Sequence, residues 1–433
     1  MFSALLQNTR VLLQHLDGYF PTFSFCTRTL VSNSARGPSQ HVNPPPSGLI
    51  SELLDDESED VQAGRRTRRT ASECSVLLFP GQGSQFVGMG QGLLKYGSVR
   101  EMFRVSHKVL GYDLLSLCLN GPKEDLDKTI HCQPAVFVTS LAAVERLNHE
   151  MPQAVENCVA VAGFSVGEYA ALVFAGSMDF TEGRMLSYQL PAMLLVNTAA
   201  FQQKSVVPRW LLHLLFGVCH VVPAALYAVK VRAEAMQEAS DRVPSGMLSV
   251  VGRPKANYNY ACLQAREHCL SVGIKNPVCA VASYLFPDGR VIAGHQEALD
   301  FLQKNSRQLY FQRVRQLPVS GAFHTPLMQP AVEPLRQVLS QVTVRRPQVA
   351  VHANVDGKRY AHEGQVRRLL AQQLVAPVCW EQTLHAVYER AQGQDFPCTY
   401  EVGPGRQLGS MLQKVNLKAF RSYAHVNVVA PQD

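Results

Sequence analysis

The five residues Gly163-Phe-Ser165-Val-Gly167 stand between an apolar run, Val159-Ala-Val-Ala162, and a stretch with helical patterning, Glu168–Phe174. A serine at the tip of a tight strand-to-helix turn leaves no space for side chains two residues to either side, so both positions must be very small. Gly163 and Gly167 meet that demand. A helix that starts just after Ser165 also points backbone N–H groups toward negative charge developing beside the serine. Such a turn sits at the end of a strand and commits the chain to an α/β architecture. A serine in an ordinary glycine-rich βα turn would satisfy the same five residues, so the rest of the chain must decide.

The alternation of strand and helix is carried on both sides of this turn. Cys74-Ser-Val-Leu-Leu-Phe79 reads as a buried strand closed by the turn residues Pro80-Gly81. With hydrophobic residues at 46% and charged residues at 17%, most of the 433 residues can bury a core. Between 243 and 317 the pattern changes to strand 246–251, helix 258–272, strands 278–285 and 290–293 around Pro287-Asp-Gly289, helix 297–304 and strand 314–319. This βαββαβ order predicts a ferredoxin-like subdomain. It is inserted into an α/β-hydrolase-like large domain with a parallel sheet, spanning 74–242 and 318–425.

The N-terminal region reads differently. Residues 1–37 contain Arg10, Arg28 and Arg36, a single acidic residue, Asp17, and leucines 5, 6, 12, 13 and 16 on one helical face. This composition predicts a mitochondrial transit segment and a matrix location. Residues 38–73, rich in Pro, Ser, acidic residues and Arg, are expected to form a disordered linker. The net charge of +7 does not imply nucleic-acid binding, because the dense basic run, Arg65 to Thr70, lies in that linker without interleaved aromatics. The eleven cysteines show neither a disulfide framework nor metal-ligand spacing, and Cys158, Cys262, Cys269 and Cys279 read as small buried residues. No metal and no cofactor is expected.

Residues 184–225 fit no element of this pattern. The apolar run 211–229 is long enough to be weighed as a membrane span, but His213, Gly217, His220 and Pro223 interrupt it, and no span is expected. Joining Phe180-Thr-Glu-Gly183 directly to Leu226 restores a continuous amphipathic helix, which identifies 184–225 as an anomalous insertion of the kind left by a retained intron or a gene-prediction error.

Three further motifs join the serine turn in chain order: Phe79-Pro-Gly-Gln82-Gly-Ser-Gln85, Gly321-Ala-Phe-His324-Thr-Pro-Leu-Met328 and Glu401-Val-Gly-Pro-Gly405. With Gly163–Glu168 they resemble the malonyl-CoA:acyl carrier protein transacylases, specifically the mitochondrial form, over about residues 74–425. The resemblance implies an acyltransferase of fatty-acid synthesis in which Ser165 takes the malonyl group from malonyl-CoA and passes it to the phosphopantetheine thiol of acyl carrier protein. It implies His324 as the base, and the backbone N–H groups of Gln82 and Val166 as the oxyanion site. Gln82 alone would equally suit a turn between two glycines.

The resemblance also makes Arg232 the ligand of the malonyl carboxylate, which a guanidinium can grip through two parallel hydrogen bonds. A surface arginine on a charged helix is the plain alternative. Gln373 matches the residue whose backbone carbonyl orients the histidine, and Ser283 stands where the family has an asparagine. Phe323 before the histidine resembles malonyl-selective members. Two other functions share these residues: a serine hydrolase or thioesterase, which would aim its histidine with an acidic residue, and an inactive carrier-protein-binding relative whose arginine the insertion has displaced.

Overall fold

The computed structural model describes residues 70–179 and 224–430. The transit segment, the linker up to residue 69 and the insertion from 184 to 223 therefore lie outside the described residues. Two edges differ from expectation. Residues 71–73 of the expected linker form a 3-10 turn, closed by the Thr70 N–H donating to Glu73 Oε2 at 2.7 Å. Ala224 and Ala225, expected to end the insertion, instead form the first turn of a helix.

A five-stranded parallel sheet organises the large domain, in the order β7-β2-β1-β8-β9. Its strands are β1 (Ser75–Phe79), β2 (Cys158–Gly163), β7 (Ala350–His352), β8 (Cys398–Val402) and β9 (Tyr423–Val426). The continuous apolar run of β1 is buried at every position because both faces of the sheet are covered. Leu77 and Phe79 enter one core cluster, whereas Val76 and Leu78 enter another on the opposite face.

The inserted subdomain is a four-stranded antiparallel sheet in the order β4-β5-β3-β6. These strands are β3 (Ser245–Gly252), β4 (Cys279–Phe286), β5 (Gly289–His295) and β6 (Phe311–Gln316), with the two expected helices at Tyr258–Ser271 and Gln296–Lys304. The last strand ends three residues earlier than the sequence suggests, since Val319 leaves the ladder. Leu248, Val250, Ala261, Ala265 and Ile292 give the subdomain its own core. Cys262, Cys269 and Cys279 are buried as expected, but Cys158, at the start of β2, is only half-buried.

Four helices position the site, here α1 (Thr129–Glu150), α2 (Gly167–Phe174), α3 (Ala224–Asp241) and α4 (Glu363–Gln373). The middle of α1 is buried all round from Cys132 to Ala143 and forms the wall against which α2 and α3 pack. Ala225, Val229, Arg232, Met236 and Ala239 form the buried stripe of α3 at helical spacing. Across residues 180–223 the chain is drawn together: the Ala225 N–H donates to the Asp179 carbonyl at 3.2 Å. Among the described residues no helix is long and apolar enough to cross a membrane, and residues 224–229 of the apolar run belong to α3.

Candidate active site

The turn after β2 is as tight as its glycines require. A Cβ on Gly163 would lie 2.0 Å from the Gly167 carbonyl, and one on Gly167 would lie 2.3 Å from the Phe79 carbonyl. Ser165 at the tip is held at φ 53, a left-handed conformation that non-glycine residues seldom adopt. Its N–H donates to Asn354 Oδ1 at 2.6 Å, and Asn354 Nδ2 donates to the Gly163 carbonyl at 2.6 Å. One asparagine side chain on the loop after β7 thus pins the start and the tip of the turn. Ser283, where the family resemblance placed an asparagine, lies in β4 and is bridged through its backbone to Val378.

His324 approaches from the segment that leaves the small subdomain. Its Nε2 lies 2.9 Å from Ser165 Oγ, and its Nδ1 lies 2.7 Å from the Gln373 carbonyl oxygen. A carbonyl only accepts, so Nδ1 carries the proton and Nε2 is free to receive the serine proton. The histidine also has a left-handed backbone, φ 60. Gly321 permits this approach, because a Cβ there would fall 2.3 Å from Ser240 Oγ on α3. Burial, then the charge of Arg232, lowers the imidazole to about 4, so the ring is neutral at physiological pH. Phe323 is buried in the main core.

Arg232 is fully buried, which removes the surface reading of that residue. Its Nη2 donates to Ser165 Oγ at 3.0 Å and to Gln373 Oε1 at 2.8 Å, and its Nη1 donates to Gln133 Oε1 at 2.6 Å. The Nε–H has no partner among the described residues. The guanidinium lies over the Tyr169 ring, 5.7 Å from its centroid. Burial lowers its pKa, with Glu168 opposing that shift. A guanidinium beside the serine hydroxyl with an unused donor has the chemistry to grip a carboxylate.

The loop after β1 closes over the turn. Gly81 can have no Cβ because the Phe164 carbonyl would be 2.4 Å away. The Gln82 side chain is tied to α1: its Nε2 donates to Thr129 Oγ1 at 3.2 Å, and its Oε1 accepts from Gln133 Nε2 at 3.4 Å. Val166 stands at the N-cap of α2. Among the described residues, neither the Gln82 nor the Val166 N–H is used in a hydrogen bond.

Ser165, His324, Arg232 and Gln373 thus meet at one point, with Gln82 and Val166 on the elements that flank it. The sequence reading missed Gln133, Asn354, Glu168, which accepts from Gln373 Nε2, and Tyr360, whose hydroxyl donates to Glu168, as members of this network. Glu168 was visible as an acidic residue in the first turn of a helix; the two amides and the phenol stand in no motif.

The chain is similar to known acyltransferases. Residues 76–190 match the family model described as an acyl transferase domain. The human mitochondrial malonyl-CoA-acyl carrier protein transacylase is 55% identical over 93% of this chain and 93% of its own length. The solved acyl carrier protein S-malonyltransferase of Vibrio cholerae is 28% identical with a TM-score of 0.63, covering 82% of this chain and 97% of its own. A malonyl-transacylase solved with its type II PKS acyl-carrier protein is 29% identical with a TM-score of 0.64, covering 82% and 96%.

Proposed function

This chain belongs to the family of malonyl-CoA–acyl carrier protein transacylases, in its mitochondrial form, and we propose that it carries the malonyl group between its two thiol carriers as an ester on Ser165. The enzyme moves malonyl from malonyl-CoA to acyl carrier protein and so supplies mitochondrial fatty-acid synthesis. Malonyl-CoA and the phosphopantetheine arm of the carrier are its two substrates.

The observation that carries the mechanism is the convergence of Arg232 Nη2 and His324 Nε2 on one hydroxyl oxygen, at 3.0 and 2.9 Å. Ser165 Oγ attacks the thioester carbonyl while its proton passes to His324 Nε2. The carbonyl oxygen becomes an oxyanion, held by the N–H groups of Gln82 and Val166; one such donor is typically worth about 3–4 kcal/mol in the transition state. The C–S bond breaks and the coenzyme A thiolate leaves with the proton from the histidine. In the second half the carrier thiol gives its proton to His324 and attacks the ester. Collapse of that intermediate returns the proton to Ser165 Oγ.

Arg232 selects for malonyl. A carboxylate at the far end of the acyl group meets a guanidinium already enclosed and partly committed to Gln133 and Gln373, and an acetyl group brings nothing to pair with it. The histidine is aimed by a backbone carbonyl and not by an acidic residue, which removes the feature on which the hydrolase reading depended. The expectation that the insertion displaces the arginine also fails, since Arg232 lies within hydrogen-bond distance of the nucleophile.

The deciding experiment first omits the carrier and then adds it. The full chain incubated with malonyl-CoA should gain one malonyl group on Ser165, located by peptide mapping, and lose it to added phosphopantetheinylated carrier protein. Rapid release of malonate to water with no thiol acceptor would identify a hydrolase instead.

A further inference from the structure

Glu168 follows the second glycine of the turn and is enclosed, with 1% of its surface exposed, yet it takes no part in the transfer steps above. Its carboxylate meets donors from two other segments. Oε1 accepts from the Tyr360 hydroxyl, and Oε2 accepts from Gln373 Nε2 at 2.5 Å and from the Asn354 N–H at 3.3 Å. An ionised carboxylate only accepts, so it turns the NH2 end of the Gln373 amide toward itself. The Ser165 carbonyl, 3.1 Å from the same Nε2, adds to that preference. The opposite end of the amide then faces Arg232 Nη2, and the backbone carbonyl of the same glutamine holds His324.

We propose that Glu168 is a positioning residue for malonyl transfer, whose carboxylate acts through Gln373 to hold the carboxylate-binding arginine and the histidine base in register with Ser165. The proposal rests on the roles given to Arg232 and His324 above. It explains why an acid is buried here at all. A neutral amide at 168 would let the Gln373 side chain sit either way round, and one of those arrangements sets its NH2 against the guanidinium. It also links two buried charges of opposite sign, Glu168 and Arg232, through a single side chain.

The charged and titratable groups around Glu168 are Arg232 from α3, Tyr360 from the segment after β7 with Asp356 near it, Tyr169 beside it on α2, and His324 beyond Gln373. Burial pushes the Glu168 carboxyl up to about 7, against the hydrogen bonds from Tyr360 and Gln373. The histidine is already neutral there. A protonated Glu168 must donate, yet Oε2 faces two N–H donors and Oε1 faces a hydroxyl that would have to reverse. Ionisation of Glu168, and not of His324, then sets the acid limb of activity.

The test compares the full chain with Glu168→Gln and Tyr360→Phe, each verified as folded by near-UV circular dichroism. The rate of Ser165 ester formation is followed against pH with malonyl-CoA and with acetyl-CoA. The unsubstituted protein should show an acid limb near pH 7. In Glu168→Gln that limb should move down toward pH 4, and the preference for malonyl over acetyl should fall about tenfold or more. Tyr360→Phe removes one donor from the carboxylate, so its limb should move to higher pH. An unmoved limb and an unchanged preference overturn the proposal. If Glu168→Gln does not fold, Tyr360→Phe decides by itself: a limb moved upward supports the proposal and an unmoved one overturns it. Failure of the unsubstituted protein to form the Ser165 ester would instead count against the reaction assigned above.

Discussion

Ser165 and His324 are 159 positions apart, share a 2.9 Å hydrogen bond, and each holds its backbone in the left-handed region, at φ 53 and φ 60. Neither conformation is favoured by a residue with a Cβ, and each costs on the order of 1–3 kcal/mol. The surrounding packing over-determines both: Asn354 on one side, the Gly321 contact with α3 on the other. The serine and the histidine proposed as its base are thus set by main-chain geometry, and their side chains have little left to choose.

This strain can be measured. Ser165→Ala and Ser165→Gly should both lose ester formation by at least about 10³-fold. Glycine tolerates φ 53 and alanine does not, so Ser165→Gly should be more stable than Ser165→Ala by about 1 kcal/mol in urea titration. Equal stabilities would show that the turn carries no strain.

Arg232→Lys separates recognition from chemistry. Lysine keeps a charge but loses the planar fork, so kcat/KM for malonyl-CoA should fall roughly 10- to 100-fold. Ester formation from acetyl-CoA should change far less. A parallel loss with both substrates would mean that the arginine serves the nucleophile and not the acyl carboxylate.

The glycines of the first loop and the serine turn should divide into two classes. Gly163→Ala would drive a Cβ into the Gly167 backbone at 2.0 Å, which neither segment can vacate. Loss of about 3 kcal/mol or more, or failure to accumulate folded protein, is expected. Gly83, at φ 101, has nothing within 4 Å of the place a Cβ would take, so Gly83→Ala should cost only about 1 kcal/mol of backbone strain. Urea midpoints of the two variants check the contrast.

The buried acid and the buried base should oppose each other in stability. The folded Glu168 carboxyl titrates at about 7 against an ordinary 4.5, so between those values the folded state holds a proton that the unfolded chain has released. Stability from this group falls as pH rises through that window. His324 titrates at about 4 against an ordinary 6.5, so there the unfolded chain takes the extra proton and stability rises with pH. Glu168→Gln removes the first effect alone. Relative to the unsubstituted protein it should gain on the order of 3 kcal/mol between about pH 4 and pH 8. A difference that stays constant with pH would mean that Glu168 does not titrate in the folded protein.

Much of this architecture could be read from residue order because its constraints are local. The apolar run of β1, the two glycines around Ser165 and the βαββαβ pattern each declare themselves within a few positions. Arg232 was harder: its helix is charged in part, and only the packing of α3 against α1 shows that it faces inward. The amide and phenol network was out of reach. Asn354 reaches the turn, Tyr360 reaches Glu168 and Gln133 reaches Arg232 from other segments of the chain, and amides and phenols occur everywhere at a protein surface.

The hydrogen bond from Ala225 to the Asp179 carbonyl has a consequence for how this gene can vary. The described residues that border the interval 180–223 meet at the base of α3. Because the entropy of closing a loop grows only with the logarithm of its length, the interval is a place where chain can be added or removed at small cost to the rest. Exon boundaries, splice variants and engineered fusions falling there would be tolerated in a way that the same length of chain placed between Gly163 and Gly167 could never be.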